Sequence, residues 1–401
     1  METPAFLDRV VLRNYKSIAS CDVRLGRLTY LVGANGSGKS NFLDALHLVR
    51  DALVSSLDNA LNERGGLPEV RRRSSGHPTH FGVRLDFNLR DGRKAHYAFN
   101  VGALSGGSYE VRTEECFVVG PGRGPYFRLE RGVLAQTSET TFPSITADRL
   151  GLVAASGLSA FRPVYDALTA MGFYNLNPKV IRELQKPQDG RLLKPAGENI
   201  ASVIGHLQRF APASLSLIEE YLQLVVPMVR GVRRKAVGPM ESLTFRQEVA
   251  GASDPWHFLA QNMSDGTLRA LGVLTALFQR SDDYAPTVVG IEEPETALHP
   301  AASAALREAL MRAAEDTQVI VTSHSPDLLD DASIDPDTIL AVTATGGDTC
   351  IAPVDEASRT VLRQQLFSVG ELLRLNQLEP DMSVLEAQRE RQPSLFSTDP
   401  R

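Results

Sequence analysis

Apolar residues change their spacing several times along the chain, and each change predicts a different element. Leu7 to Ile18 and Leu28 to Val32 read as strands. Phe42, Leu46, Val49 and Leu53 then recur at helical spacing, which predicts a helix starting near Lys39. From Phe81 to Phe87 apolar and polar residues alternate, and they do so again over Ala95 to Val101 and Tyr109 to Val119. Turn signals at Arg90-Asp91-Gly92 and Ser105-Gly106-Gly107 separate these runs. The alternation predicts an antiparallel meander over 81–132, one face buried and one face wet.

Residues 145–225 return to helical periodicity, with stripes at Ile200, Val203, Ile204 and Leu207 and at Leu215, Ile218, Leu222 and Val225. No heptads are sustained, so no long coiled coil is expected. Thr287 to Ile291 and Val319 to Thr322 are short apolar strands, and Ala301 to Ala314 between them carries a helical stripe. Strand, helix and strand at this length predict a βαβ unit with parallel strands. From Pro380 onward the chain is polar, contains Pro and Ser, and reads as a mobile tail. The expected class is α/β, with an antiparallel β subdomain and a helical lobe.

Composition narrows this only slightly. The 401 residues are 43% hydrophobic with a formal charge of −6, enough for a large core and unlike a chain coated in positive charge. The three cysteines, Cys21, Cys116 and Cys350, stand far apart, so neither a disulfide framework nor a zinc site is expected. There is no apolar run of about 18 residues and no signal-peptide layout at the start, so a cytoplasmic protein without membrane contact is expected.

Chemistry enters at Gly33-Ala34-Asn35-Gly36-Ser37-Gly38-Lys39-Ser40, a complete G-x-x-x-x-G-K-S phosphate loop between a strand and a helix. Glycines let successive N–H groups turn inward toward phosphate oxygens, and the following helix aims its positive end at the same place. Lys39 is expected to reach the β- and γ-phosphates and Ser40 to ligate Mg²⁺, which makes a nucleoside triphosphate the expected ligand. After the strand 287–291 come Glu292 and Glu293. Glu292 is the candidate for holding Mg²⁺, and Glu293, one residue further on, for polarising an attacking water. His324 ends the next strand in Thr322-Ser323-His324-Ser325 and is a candidate γ-phosphate sensor. Ser264-Asp265-Gly266-Thr267 opens an apolar helix, where Ser and Gly at the N-terminus can bind an anion.

These motifs, in this order, resemble the ATP-binding-cassette-type heads of the Rad50/SMC/RecF group, and more closely the stand-alone bacterial AAA-type or OLD-like ATPases. The likeness includes Asn35 and Asn41 in the loop, Glu292-Glu293-Pro294-Glu295 running on to Leu298-His299-Pro300, and Leu12 to Ile18 as a first strand. It departs from transporter subunits at Asp265 and Thr267, where those have glycine and glutamine. No Q-loop glutamine stands out among Gln185, Gln188 and the His77–His80 segment.

The resemblance implies an ABC-type P-loop NTPase head with a mixed or parallel core sheet. Residues 1–140 would form its N-terminal part, 141–280 the helical lobe with the signature, 281–379 the C-terminal part and 380–401 the tail. It also implies ATP hydrolysis with Mg²⁺ by a head-to-tail homodimer. Ser264, Asp265 and Gly266 of one copy would then cap the nucleotide held by Lys39 of the other. Such a dimer would act in DNA repair or anti-phage defence, on DNA or with a separately encoded nuclease or toxin. The alternatives are a nucleotide-binding scaffold with little turnover and the ATPase subunit of a transporter.

Two weaker signals concern partners. Arg71-Arg72-Arg73 and Arg230, Arg233, Arg234 and Lys235 are basic clusters open to DNA or to solvent. Gln392-Pro393-Ser394-Leu395-Phe396 resembles the peptide by which bacterial DNA enzymes hook the sliding clamp, with Leu395 and Phe396 as apolar anchors.

Overall fold

Strand Leu7–Tyr15 doubles back onto Ile18–Arg24 through a turn so tight that Asn14 and Lys16 both take positive φ. This hairpin is one edge of a seven-stranded sheet, drawn here from a computed structural model that describes residues 6–74, 76, 78–120, 124–281, 284–391 and 394–396. From Leu7–Tyr15 the sheet continues through His80–Asn88, Lys94–Ala103, Tyr109–Val118, Tyr126–Glu130 and Val133–Thr137, every neighbour antiparallel. The meander expected from the alternating pattern is therefore present, extended on both sides. The chain divides into two compact units, and this sheet lies in the first, made of residues 1–171, 335–364 and 376–401.

The same unit holds Leu28–Val32, which pairs in parallel with Ile339–Thr345, itself antiparallel to Asp348–Pro353. Helix Lys39–Val54 follows Leu28–Val32 and buries Phe42, Leu46, Val49 and Leu53, the stripe read from the sequence. Its core includes an aromatic chain in which Tyr15 and Phe99 each meet Phe81 edge-on and Tyr97 adjoins Phe99.

The meander departs from expectation in having no wet face over its middle. Along Lys94–Ala103, Tyr97, Phe99 and Val101 are buried on one face, and Ala98 and His96 are buried on the other. His96 stacks on Phe117 of the neighbouring strand, and further cover over this face comes from residues 395 and 396. Leu395 is only 4% exposed and fills the space over Gly82, where a Cβ would strike its Cδ1. Arg84 donates to the Leu395 carbonyl at 3.1 Å, and the Arg128 guanidinium lies 5.7 Å from the Phe396 ring centre.

The expected tail also carries helix Met382–Arg391, with Leu385 against Cys350 and Ala352 and Gln388 donating to the Asp22 carbonyl at 2.8 Å. A few apolar residues at helical spacing in a polar stretch were too sparse to signal it. Gln392 and Pro393 lie outside the described residues. The two anchors of the clamp-like peptide are thus packed on the protein's own sheet.

The second unit, residues 172–334 and 365–375, contains the βαβ motif. Strands Gln318–Ser323, Val288–Glu292 and Gly172–Tyr174 lie side by side in parallel, with helix Ser303–Ala314 as the crossover. Helices Ile200–Phe210, Pro212–Val225 and Asp265–Phe278 belong here too. The span 141–280, expected as a helical lobe, also contains a three-stranded antiparallel sheet, Val229–Val237, Met240–Gln247 and Trp256–Leu259. A register shift between Val229 and Gly231 breaks the period of two, which hid the first strand inside its run of arginines.

One buried group ties the meander to the segment after it. Glu114 accepts from Tyr97 Oη at 2.8 Å and from the Gly151 and Leu152 N–H groups, and burial pushes its carboxyl up to about 7 despite these donors. The folded state therefore holds the Glu114 proton more tightly than the unfolded chain does. Stability from this group is full below about pH 4.5 and is lost as pH rises toward 7, by roughly 3 kcal/mol. Glu114→Gln removes this dependence, so urea midpoints measured across that range should flatten. Leu395→Ala should cost about 2 kcal/mol by uncovering Gly82. An unchanged urea midpoint would show that the terminal contact contributes nothing.

Candidate functional site

The phosphate loop is shaped by what lies behind it. A Cβ at Gly33 would collide with the Val342 carbonyl oxygen, and one at Gly38 with the Thr349 hydroxyl. Gly36 differs, since nothing stands within 4 Å of the place its Cβ would take, although its φ of +77° still favours glycine. So Gly33 and Gly38 are required by the wall behind the loop and Gly36 by backbone conformation on its open side.

Side chains then fasten the loop. Thr349 Oγ1 donates to the Ser37 carbonyl at 2.9 Å and lies 2.6 Å from Ser17 Oγ, which accepts from Asn41 Nδ2 at 2.6 Å. Lys39 is 5% exposed, and its Nζ donates to the carbonyls of Gly33 and Ala34 at 2.8 and 3.0 Å. The ammonium thus sits within the curve of the loop. The Ser37 hydroxyl is buried without a hydrogen-bond partner, while Ala34, Asn35, Gly36 and Ser40 are exposed. An exposed crest with a lysine at its base, an orphaned hydroxyl and a glycine on the open side together fit a polyphosphate and its divalent ion. The loop helix is pinned as well: Asp44 accepts from Tyr15 Oη at 2.7 Å and pairs with Lys16 and Arg64. Burial pushes the Asp44 carboxyl up, but Arg64 and Lys16 outweigh it and hold it below the usual range.

The second unit holds the other candidates. Glu292 ends strand Val288–Glu292, and Glu293, just beyond, takes a φ of +43°, a left-handed value uncommon for a residue with a side chain. Its N–H donates to the Thr322 carbonyl at 3.0 Å, which locks the turn to the neighbouring strand. The Glu293 carboxylate Oε1 lies 3.0 Å from His324 Nδ1, so two candidates 31 positions apart are in contact. Both are partly exposed, at 34% and 38% of their side chains. Glu295 turns inward, accepting from Ser323 Oγ at 2.6 Å, and its carboxyl is raised by burial.

Ser264 caps helix Asp265–Phe278, accepting from the Thr267 N–H at 3.2 Å, with its hydroxyl 2.8 Å from that of Thr267. Asp265 is paired with Arg182. Gly266 packs on the loop after the acidic strand, where a Cβ would come within 2.7 Å of the Ala297 carbonyl. The signature and the acidic loop are therefore in direct contact.

Several candidates are placed elsewhere. Gln185 is buried and bridges the Gly197 carbonyl at 2.8 Å and the Ala201 N–H at 3.0 Å, a structural brace rather than a group facing a ligand. His77 lies outside the described residues. In the basic clusters Arg72 pairs with Asp348, Arg73 with Glu69, Arg230 with Glu248, Arg233 with Glu219 and Arg234 with Glu241. Thr349 and Arg269 were missed by sequence reasoning. Nothing local marks Thr349, whereas Arg269 is a charge inside an apolar helix and could have been noticed.

A family model described as "AAA domain, putative AbiEii toxin, Type IV TA system" matches residues 28–116 and 201–330, more than half of the chain. No curated protein matches it. Among solved structures, it is similar to an SMC head bound to the C-winged helix domain of ScpA, with 15% identity and a TM-score of 0.57 over 86% of this chain and 97% of that one. It is also similar to the Smc head with an extended coiled coil bound to the C-terminal domain of ScpA derived from Pyrococcus furiosus. There the identity is 12% and the TM-score 0.58, over 90% and 99% of the two chains. The fold is that of an ABC-type P-loop NTPase head. Among the described residues no helix is long and apolar enough to cross a membrane.

Thr349→Val keeps the shape behind Gly38 but removes the hydroxyl that joins Ser17 to the Ser37 carbonyl. Nucleotide affinity, measured by titration with a fluorescent ATP analogue, should fall about tenfold, the worth of one or two lost hydrogen bonds.

Proposed function

The chain belongs to this AAA-domain family, and we propose that it is an ATPase whose catalytic site is completed by a second copy of itself. The observation that carries this reading is the Glu293–His324 pair, a carboxylate and an imidazole held 3.0 Å apart at the ends of two parallel strands. Ligand chemistry in α/β folds collects at such strand ends. In the proposed reaction Glu293 accepts the proton of the attacking water, and His324 steadies Glu293 and contacts the γ-phosphate. Lys39 and the N–H groups of Gly36 to Ser40 bind the β- and γ-phosphates. Ser40 and Glu292 are the residues that would hold Mg²⁺, which supplies charge neutralisation on the phosphate oxygens.

The second copy enters through the signature. Ser264 and Gly266 stand at the N-terminus of a 14-residue helix, where N–H groups and the helix dipole favour an anion. In the proposed dimer this end caps the γ-phosphate bound by the other copy's Lys39, so ATP joins two chains and hydrolysis parts them. The protein then works as a switch whose two states differ in oligomeric form.

The output of that switch is read here as a partner protein, a separately encoded nuclease or toxin, rather than DNA. Five arginines of the two basic clusters are already matched to carboxylates, which leaves little uncompensated charge for a phosphate backbone. The solved neighbours bound to parts of ScpA are likewise heads engaged with a protein.

Glu293→Gln should lower turnover by about 10²–10⁴-fold while leaving ATP binding intact. The variant should accumulate as an ATP-dependent dimer by light scattering. A variant that remains monomeric with saturating ATP would defeat the two-copy reading, and one that keeps full turnover would remove Glu293 from the reaction.

A further inference from the structure

Arg269 lies in the signature helix, otherwise apolar from Leu268 to Leu274, and it is only 7% exposed. Burying a guanidinium in an apolar helix face is costly, and burial lowers its pKa despite the nearby carboxylates.

What Arg269 holds explains why it is there. One terminal nitrogen donates to the Glu292 carbonyl at 3.0 Å and to the Glu293 carbonyl at 2.9 Å, and the other donates to the Leu176 carbonyl. Its Nε is buried without a partner, as is Glu295 Oε2. The guanidinium is thus committed to two successive backbone carbonyls of the acidic turn and not to a carboxylate. Those carbonyls flank the residue with φ of +43°, the one whose carboxylate meets His324. The same helix touches the same loop a second time at Gly266, against the Ala297 carbonyl, where Ala297 also has a positive φ of 66°.

We propose that Arg269 is a positioning residue that couples the signature helix to Glu293. Phosphate bound at the helix N-terminus sets the helix, Arg269 carries that setting to the two carbonyls, and the carbonyls fix the direction of the Glu293 side chain. Each signature would thereby govern the general base of its own chain. This deepens the reading given above and rests on it, since it takes Glu293 as the base and Ser264–Gly266 as the phosphate cap.

The test is chemical rescue in the full-length protein. A cleft of about 410 Å³, lined by Asn175, Leu176, Asn177, Pro178 and Pro195, reaches Arg269 and gives a small cation a way in. Arg269→Ala should lower kcat on the order of 10²-fold, the cost of a misdirected catalytic group, with KM changed less than about threefold. It should still dimerise with ATP. Millimolar guanidinium should restore part of the lost kcat in Arg269→Ala and do nothing for the wild type. Arg269→Lys, which keeps one cation within reach of a carbonyl, should fall between the two and serves if Arg269→Ala does not fold.

Unchanged kcat in a folded variant overturns the proposal. So does a parallel loss of ATP binding, dimerisation and turnover without rescue, which would mark a purely structural arginine. A wild-type protein that does not hydrolyse ATP would instead remove the parent reading.

Discussion

The constraint on which the phosphate loop depends is the lack of space behind it. The carbonyl of Val342 and the hydroxyl of Thr349 stand where side chains at Gly33 and Gly38 would be. A close-packed interior forgives very little at such contacts, because an added carbon must push backbone at Gly33 and, at Gly38, a β-branched threonine already hydrogen-bonded to the Ser37 carbonyl. The loop is therefore held from behind by residues more than 300 positions away, as the 312-residue separation of Ser37 and Thr349 shows. The curvature needed for phosphate binding is fixed by packing before any ligand contributes.

Once the loop is fixed, the direction of its helix matters, because the positive end must face the same point. Here the work falls to charge. Asp44 receives Tyr15, Lys16 and Arg64, and Asp51, about two turns later, receives Arg64 at 3.0 Å and His47 at 3.2 Å. Exposed pairs of this kind contribute little, but Arg64 is only 8% exposed and its forked geometry ties two turns of the helix at once. The first hairpin, the loop helix and the short segment after it are thereby tied together. The sharp turn at Asn14 and Lys16 is the local strain that this arrangement tolerates.

What was legible in the sequence was whatever is local. The phosphate loop, its flanking strand and helix, the meander, the βαβ unit and the acidic strand all declare themselves within a dozen residues, and each is found where the pattern put it. The helix Met382–Arg391 and the strand Val229–Val237 were not legible, the first because its buried face is narrow and the second because a bulge broke its alternation. The covered second face of the meander could not be read either. It depends on Leu395 meeting Gly82, a pairing that nothing in either segment announces. The candidate site divides in the same way. Lys39, Ser40, Glu292, Glu293 and His324 follow from motifs, whereas Thr349 and Arg269 act through contacts that only the folded chain makes.

The two candidate regions handle strain differently, and the difference bears on how each could work. In the phosphate loop the positive φ values fall on Gly36 and Gly38, where they cost little. In the acidic loop they fall on Glu293 and Ala297, where each costs about 1–3 kcal/mol and must be offset by neighbours. The offsets are specific: Thr322 for the Glu293 N–H, and Arg269 for the carbonyls on either side. A glycine-built loop takes positive φ at little backbone cost, so its contacts need offset no strain. A loop held in a costly shape by contacts keeps it only while those contacts stay in register. Of the two, the acidic loop is the one whose geometry depends on the helix Asp265–Phe278, and so under the proposed reaction the natural point of control is Glu293 rather than the phosphate loop.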